Sequence, residues 1–205
     1  MSKICHVVGA GDFDPALLSP EKEDLIIAAD AGLRHLQAAG ISPHLYVGDG
    51  DSLGFQPQGI DTVVLPKVKD DTDTLAALRE GLSRGYRRFY LYGALGGSRF
   101  SHSVANVQTL AFLSSLGAEG TLVDSNCRVS LLTASTRKLQ SQGGYFSLFA
   151  YGGEAVVTVE GAKYPLKEAT LSPQFPLGVS NEVQGLCSVT VHSGSVLLIE
   201  ESFRP

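Results

Sequence analysis

The sequence predicts an α/β protein: an N-terminal, doubly wound, mostly parallel sheet domain over residues 1–125, followed by a smaller all-β sandwich domain over 126–205. Two observations predict it. Short apolar runs alternate with helix-period segments through the first half, the pattern of a parallel sheet with helices on both faces. Beyond about residue 125 the helical period disappears and strand-like runs recur between Gly-containing turns, the pattern of an all-β sandwich or barrel. A chain of 205 residues is long enough for one large domain or two small ones.

The elements follow in order. Strands are expected at Ile4–Val8, Leu25–Ala29, Leu45–Val47, Thr62–Leu65, Phe89–Tyr92 and Thr121–Asp124. Helices are expected from about Ala31 to Ala39, stopped by Gly40, from Asp73 to Leu82 with Leu75, Leu78 and Leu82 on one face, stopped by Gly85, and from about His102 to Leu116. Ser, Thr and Gln accumulate between 125 and 140, which places the domain boundary there. The second half offers strands at Tyr145–Ala150, Ala155–Glu160, Ala169–Leu171, Cys187–His192 and Ser195–Glu200. The last two flank Ser193-Gly194 and read as a hairpin.

Composition excludes several classes. Hydrophobic residues make up 43% and charged residues 18%, which is globular rather than disordered or coiled-coil. A net charge of −5 argues against a nucleic-acid binder, which needs a basic face for phosphates. No apolar run approaches the ~20 residues that cross a bilayer, and the N-terminus lacks a signal-peptide h-region, so a cytoplasmic protein is expected. Cys5, Cys127 and Cys187 are isolated and odd in number, consistent with buried reduced thiols rather than zinc or disulfides.

Three segments could carry chemistry. In Tyr46-Val47-Gly48-Asp49-Gly50-Asp51-Ser52 the two acids lie two apart. On an extended segment they face the same way and converge on one cation; alternatively, Asp and Gly are simply good turn formers. In Lys67-Val68-Lys69-Asp70-Asp71-Thr72-Asp73, Asp70 or Asp71 could cap the next helix, and Asp70 and Asp73 are spaced to share a helix face. Clustered carboxylates suit Mg²⁺, which takes oxygen ligands and substrate phosphates, while Lys67, Lys69 or Arg99 would offset phosphate charge. Gly93-Ala94-Leu95-Gly96-Gly97-Ser98-Arg99-Phe100-Ser101-His102 lies between a strand and a helix. Its glycines allow close backbone approach, the helix start favours anions, and Arg99 can grip a phosphate with two parallel hydrogen bonds. No Gly-Lys-Ser/Thr follows, so it is not a Walker A loop. Gly9-Ala10-Gly11-Asp12-Phe13-Asp14 lacks the third glycine of a dinucleotide loop. Asp30 follows the second strand and either reaches the site or caps the helix near Ala31.

Together these segments resemble the bacterial thiamine pyrophosphokinase family. The resemblance rests on Asp30-Ala31-Gly32, Pro43 leading to Gly48-Asp49-Gly50-Asp51-Ser52, Lys69 to Thr72-Asp73, and Gly93-Ala94-x-Gly96-Gly97-x-Arg99-x-x-His102 with Ala105-Asn106. In the β-rich half, Gly161-Ala162-Lys163-Tyr164-Pro165-Leu166 and Gly178-Val179-Ser180-Asn181-Glu182 are similar to that family's thiamine-binding motifs.

The resemblance implies transfer of diphosphate from ATP to the thiamine hydroxyl, giving thiamine diphosphate and AMP. It implies a β-sandwich second domain and a homodimer with thiamine between subunits. It implies a Mg²⁺ site at Asp49, Asp51 and Asp73 with Asp70 or Asp71 nearby, and ATP or phosphate contacts from Asp30, Lys69, Thr72, Gly96, Gly97, Arg99, Ser101, His102 and Asn106. Asp49, Asp51, Asp73 and Arg99 would be catalytic, and Ser180, Asn181 and Asp51 would meet thiamine. One departure stands out. The family usually carries Asp two residues after the loop arginine, where this chain has Ser101. Serine supplies no carboxylate, so a catalytically impaired nucleotide- or thiamine-binding homologue, or a diphosphotransferase for another alcohol, stand as alternatives.

Overall fold

Asp30 breaks from the extended backbone of the strand before it, with φ of +49°, and the chain turns there into a helix. Similar strand-to-loop breaks position the candidate site throughout the first half of the molecule. The computed structural model describes residues 3–51, 53–54, 57, 59–66, 71–140 and 144–202. The chain is a mixed, sheet-dominated α/β protein that divides into two compact units, Met1–Ser125 and Asn126–Pro205.

The first unit contains β1 (Cys5–Val8), β2 (Leu25–Ala29), α1 (Gly32–Ala38), β3 (Leu45–Gly48), β4 (Asp61–Val64), α2 (Asp73–Ser83), β5 (Arg88–Tyr92), α3 (Phe100–Ser115) and β6 (Glu119–Val123). A short 3-10 turn at Pro15–Leu17, capped by Asp14, precedes β2 and was not expected from the sequence. The strands lie in the order β6-β5-β1-β2-β3-β4, and neighbours pair in parallel. β1, β2 and β5 are buried almost throughout, as both faces of a parallel sheet require.

The two faces carry different partners. Leu33 and Leu36 of α1 join Val8, Ile26, Ala28, Tyr46 and Tyr92 in one core. On the register row Cys5–Phe89–Gly120, which faces the other way, glycine makes the close packing possible. A Cβ on Gly81 of α2 would lie 2.6 Å from Phe89 and 2.9 Å from Cys5, and one on Gly120 would lie 2.6 Å from Leu113 of α3. Strand order reverses between β1 and β5, and in open α/β sheets ligands bind in the crevice at such a point.

The second unit contains β7 (Cys127–Thr133), β8 (Thr136–Leu139), β9 (Gly144–Ala150), β10 (Ala155–Ala162), β11 (Leu166–Leu171), β12 (Gly178–Ser193) and β13 (Ser195–Ser202). Its pairings are antiparallel. β12 is the pivot. Its first part, around Gly178–Glu182, pairs with β9; its last part pairs with β8 and β10. Inward residues of both pairings, among them Phe146, Leu148, Val157, Val189 and Leu198, form one core.

The expected hairpin across Ser193-Gly194 is corrected here. β13 pairs with β7 and β9, and β12 pairs elsewhere. Gly194 has φ of +74° and packs so closely that a Cβ would lie 2.3 Å from Glu154 O. It turns the chain from one set of strands to another, a corner rather than a two-residue hairpin. Cys5 and Cys187 are buried and their thiols are pushed up by burial, while Cys127 is only partly covered; none of the three forms a disulfide. Among the described residues no helix is long and apolar enough to cross a membrane.

Candidate active site

A cavity of about 330 Å³ opens at the carboxyl ends of the strands of the first unit, where the order reverses. Each wall comes from the loop after a strand. Ala10 and Gly11 follow β1, Asp30 follows β2, Thr72 and Asp73 follow β4, and the glycine loop with Arg99 follows β5. His102 and Asn106 of α3 close the remaining side. Of the sequence-predicted site residues, the cavity gathers Asp30, Thr72, Asp73, Gly96, Gly97, Arg99, His102 and Asn106. Lys69 and Asp70 lie outside the described residues, as do Ser52, Lys67 and Val68.

The floor is glycine for steric reasons. Gly9 and Gly11 donate backbone hydrogen bonds to Tyr92 O and Gly93 O, both at 2.8 Å. A Cβ on Gly11 would lie 2.6 Å from Leu95 O, and one on Gly93 would lie 2.5 Å from Gly9 O. The Gly9/Gly11 pair is therefore a packing device that lets the β1 and β5 loops touch. Gly96 and Gly97 sit at φ of +70° and +73°, a left-handed backbone that other residues adopt at a cost.

Two polar side chains fix this loop. Asn106 is buried and its Nδ2 donates to Ala94 O at 2.7 Å; Gly97 N–H donates to Asp12 Oδ2 at 3.3 Å. The sequence reading missed Asp12, whose signal was its place in a Gly/Asp turn directly after the first strand. Arg99 is the N-cap position of α3, exposed, with no side-chain cap for the helix. His102 N–H donates back to Arg99 O at 2.9 Å, and the helix start before it, without a side-chain cap, favours an anion beside a guanidinium built for phosphate. Ser101 is exposed in the first turn of α3 and does not line the cavity.

The acids sort themselves differently from the extended-segment expectation. β3 ends at Gly48 and Gly50 turns the chain at φ of +78°, so Asp49 and Asp51 do not alternate along a strand. Asp49 Oδ1 accepts Asp51 N–H at 3.0 Å, an Asx turn, and Asp51 is exposed. Thr72, rather than an aspartate, caps α2 by accepting Leu75 N–H at 3.1 Å. Asp71 pairs with Arg79 at 3.0 Å. Asp73 begins α2 and lines the cavity. Asp30 does not cap α1, whose N-cap is Ala31 with no side-chain bond.

Three of these acids act on one hydroxyl. Tyr46 is fully buried, and burial pushes its phenol up to about 12, reinforced by the carboxylates of Asp30, Asp73 and Asp49 and partly offset by the Gly50 amide. Among the described residues Tyr46 Oη and Asp30 Oδ1 are buried atoms without a hydrogen-bond partner of normal geometry. Leaving such an atom unsatisfied costs about 1–3 kcal/mol, so a ligand or water is called for there. No three His, Cys, Asp or Glu among the described residues form a ready-made metal cage. The donor set nonetheless fits Mg²⁺, which binds through one or two carboxylates and completes its shell with waters and substrate phosphates.

In the second unit, Ser180 is exposed with φ of +57°, and its N–H donates to Ser147 Oγ at 3.1 Å. Asn181 is buried and clamps Tyr164 from both sides: Oδ1 accepts Tyr164 N–H at 3.0 Å and Nδ2 donates to Tyr164 O at 2.7 Å. Its amide thereby holds the loop that presents the Tyr164 ring, which is 58% exposed.

A family model described as the thiamin pyrophosphokinase catalytic domain matches residues 18–119, and one described as the thiamin pyrophosphokinase vitamin B1 binding domain matches residues 135–198. Solved structures are similar over most of their length. Thiamine pyrophosphokinase from Bacillus subtilis is 22% identical over 98% of this chain and 100% of that one, with a TM-score of 0.88. Thiamin pyrophosphokinase from Geobacillus thermodenitrificans is 26% identical over 98% of each chain, with a TM-score of 0.85. The yeast enzyme is 14% identical over 98% of this chain and 86% of that one, with a TM-score of 0.80. The first and third of these speak for the fold alone. No curated protein sequence matches.

Proposed function

The chain belongs to the thiamin pyrophosphokinase family, and from that premise we propose how its own residues carry the reaction. It is a thiamine diphosphokinase, with ATP and thiamine as substrates. A bond forms between the thiamine hydroxyl oxygen and the β-phosphorus of ATP, the bond from the β-phosphorus to the oxygen bridging it to the α-phosphorus breaks, AMP leaves with that oxygen, and the hydroxyl proton passes to solvent. Transfers of this kind depend on positioning and charge neutralisation rather than on covalent chemistry by the protein.

The observation that carries this reading is the cavity itself: an uncapped helix start and Arg99 on one side, and Asp30 and Asp73 on the other. The α3 N–H groups and the Arg99 guanidinium bind and orient the polyphosphate. Asn106 and Asp12 hold the glycine loop open to it. Thr72 and His102 border the nucleotide. Asp49, Asp51 and Asp73, with Asp70, would hold Mg²⁺, and Asp30 lines the same cavity as Asp73. When bound, Mg²⁺ supplies positive charge to phosphate oxygens that the carboxylates would otherwise repel.

On the same reading the first unit is a doubly wound sheet and the second a β-sandwich that binds thiamine through the Ser180-Asn181 segment and the Tyr164 loop that Asn181 holds. The protein works as a cytoplasmic homodimer. Exposed apolar side chains on the second unit, including Phe175, Leu177, Val179 and Leu186, support a buried partner surface.

The test is to incubate the protein with thiamine, ATP and Mg²⁺. Thiamine diphosphate and AMP are the expected products. ADP with thiamine monophosphate would overturn the assignment of the transferred group.

A further inference from the structure

Beneath the acids of the cavity lies a residue that the reaction scheme has not used. Tyr46 is the second residue of β3, pairs in register with Ala28 of β2, and is 0% exposed. Its ring packs in the α1-side core, but its hydroxyl reaches the end of the strand. A Cβ on Gly48 would lie 2.6 Å from Tyr46 Oη and 3.2 Å from Asp30 Cα, so the phenol and the Asp30 backbone both border the position of Gly48. Gly48 is required there because any side chain would strike the hydroxyl.

Two buried polar atoms at this point have no hydrogen-bond partner of normal geometry among the described residues. Tyr46 Oη has a proton to give and Asp30 Oδ1 has a lone pair to fill. They do not satisfy each other. A single water that accepts from the phenol and donates to the carboxylate satisfies both. Asp30 is steered to this position by backbone: its N–H donates to Val47 O at 2.9 Å and its φ is +49°. Such an unfavourable backbone persists where surrounding structure enforces it, commonly at functional sites.

We propose that Tyr46 is a positioning residue for the transfer: with Asp30 it holds a water of the hydrated divalent cation beneath the carboxylates at the ends of β2 and β3. The inference rests on the Mg²⁺ reading above. A phenylalanine at this position would keep the ring in the core and leave that water without its donor from the protein.

The test measures Mn²⁺ binding to the full chain by electron paramagnetic resonance, without nucleotide, alongside a Mg²⁺ titration of activity. Tyr46→Phe keeps the ring and removes the hydroxyl. It is expected to weaken Mn²⁺ binding about 10-fold, the usual scale for an outer-shell partner, and to raise the Mg²⁺ needed for half-maximal rate by a similar factor. The KM for thiamine should be unchanged, which a general loss of fold would not produce. Asp30→Asn should weaken Mn²⁺ binding as well, and combining the two should cost less than the product of the single effects. Equal Mn²⁺ affinity in wild type and Tyr46→Phe overturns this inference alone. If Tyr46→Phe does not fold, equal affinity in Asp30→Asn overturns it. Absence of Mn²⁺ binding to the wild type overturns both this inference and the Mg²⁺ reading.

Discussion

Arg99 is the side chain whose chemistry is least replaceable. It combines a helix start without a side-chain cap and a planar guanidinium at the rim of the cavity. Arg99→Ala should lower kcat/KM by about 10²–10³-fold, the scale for removing one preorganised group that binds developing charge. Arg99→Lys should restore little, because an ammonium cannot make two parallel bonds to a phosphate. Steady-state kinetics with ATP varied would decide it; full activity in the lysine variant would mean that only charge matters there. Asp49 shows how a local rule and a functional role coexist in one side chain. One oxygen accepts the Asp51 amide in an Asx turn. The turn-former reading of Asp-Gly-Asp was therefore correct about conformation, and the same carboxylate adds, with Asp30 and Asp73, to the burial that raises the Tyr46 phenol. Sequence spacing alone could not separate these readings, since they share residues and differ only in the direction Gly50 turns the chain.

At the scale of elements, loops after parallel strands build the site and helices hold those loops. Asn106 does this from the second turn of α3 by donating to Ala94 O. Asn106→Ala leaves that carbonyl without its donor in a buried setting, which costs about 1–3 kcal/mol. Thermal unfolding should shift down by several degrees, and the KM for ATP should rise more than the KM for thiamine. A stability loss with both constants unchanged would show that the loop keeps its shape unaided. Thr72→Ala removes the cap of α2 and should cost about 1 kcal/mol, read by denaturant titration. In the second unit Asn181→Ala deletes the clamp on Tyr164 and should raise the KM for thiamine while sparing that for ATP. Elements with a strong period were legible beforehand. Leu25–Ala29 was read to the residue, and the expected helix at Asp73–Leu82 forms as Asp73–Ser83. β7 and β8 were missed because Cys127–Leu139 mixes Ser, Thr, Arg and Lys among its apolar residues, and partial burial on one face hides the alternation. β12 runs more than twice as far as the strand read from Cys187 to His192, since its first part alternates weakly and owes its extension to β9.

For the whole molecule, stability should depend on pH through a buried pair remote in sequence. His6 Nε2 and Asp24 Oδ2 lie 3.2 Å apart, and His6 Nδ1 lies 3.2 Å from Tyr92 Oη. Burial holds the imidazole below its ordinary value, with Asp24 opposing. Burial also opposes ionisation of Asp24, but the Ile4 and Glu21 amides and His6 prevail and hold its carboxyl below the usual value. Both groups have folded pKa values lower than unfolded ones, so the unfolded chain takes up protons first as pH falls. The His6 contribution is complete above about pH 6.5 and is lost as pH drops through its folded value. The Asp24 contribution is complete above about pH 4 and is lost further down. The unfolding midpoint should therefore fall on acidification from neutrality. His6→Gln should flatten the curve in the upper part of that range and leave the lower part sloping. A midpoint independent of pH between 7 and 5 would refute the assignment.

By itself the sequence determined the parts that depend on nearby residues: strand and helix periods in the first unit, the glycine loop before α3, the acids that accompany it, and the change of texture near residue 125. These follow from side-chain spacing and backbone preference within about ten residues. Only the tertiary structure decided which strand each segment joins, why Ser193-Gly194 is a corner, that Asn181 serves Tyr164, and that Tyr46 ends under Asp30. A tyrosine in an apolar strand looks like core from its neighbours. Where its hydroxyl points depends on the register of β2 against β3 and on the room left by Gly48, and both are set by pairing between segments distant along the chain.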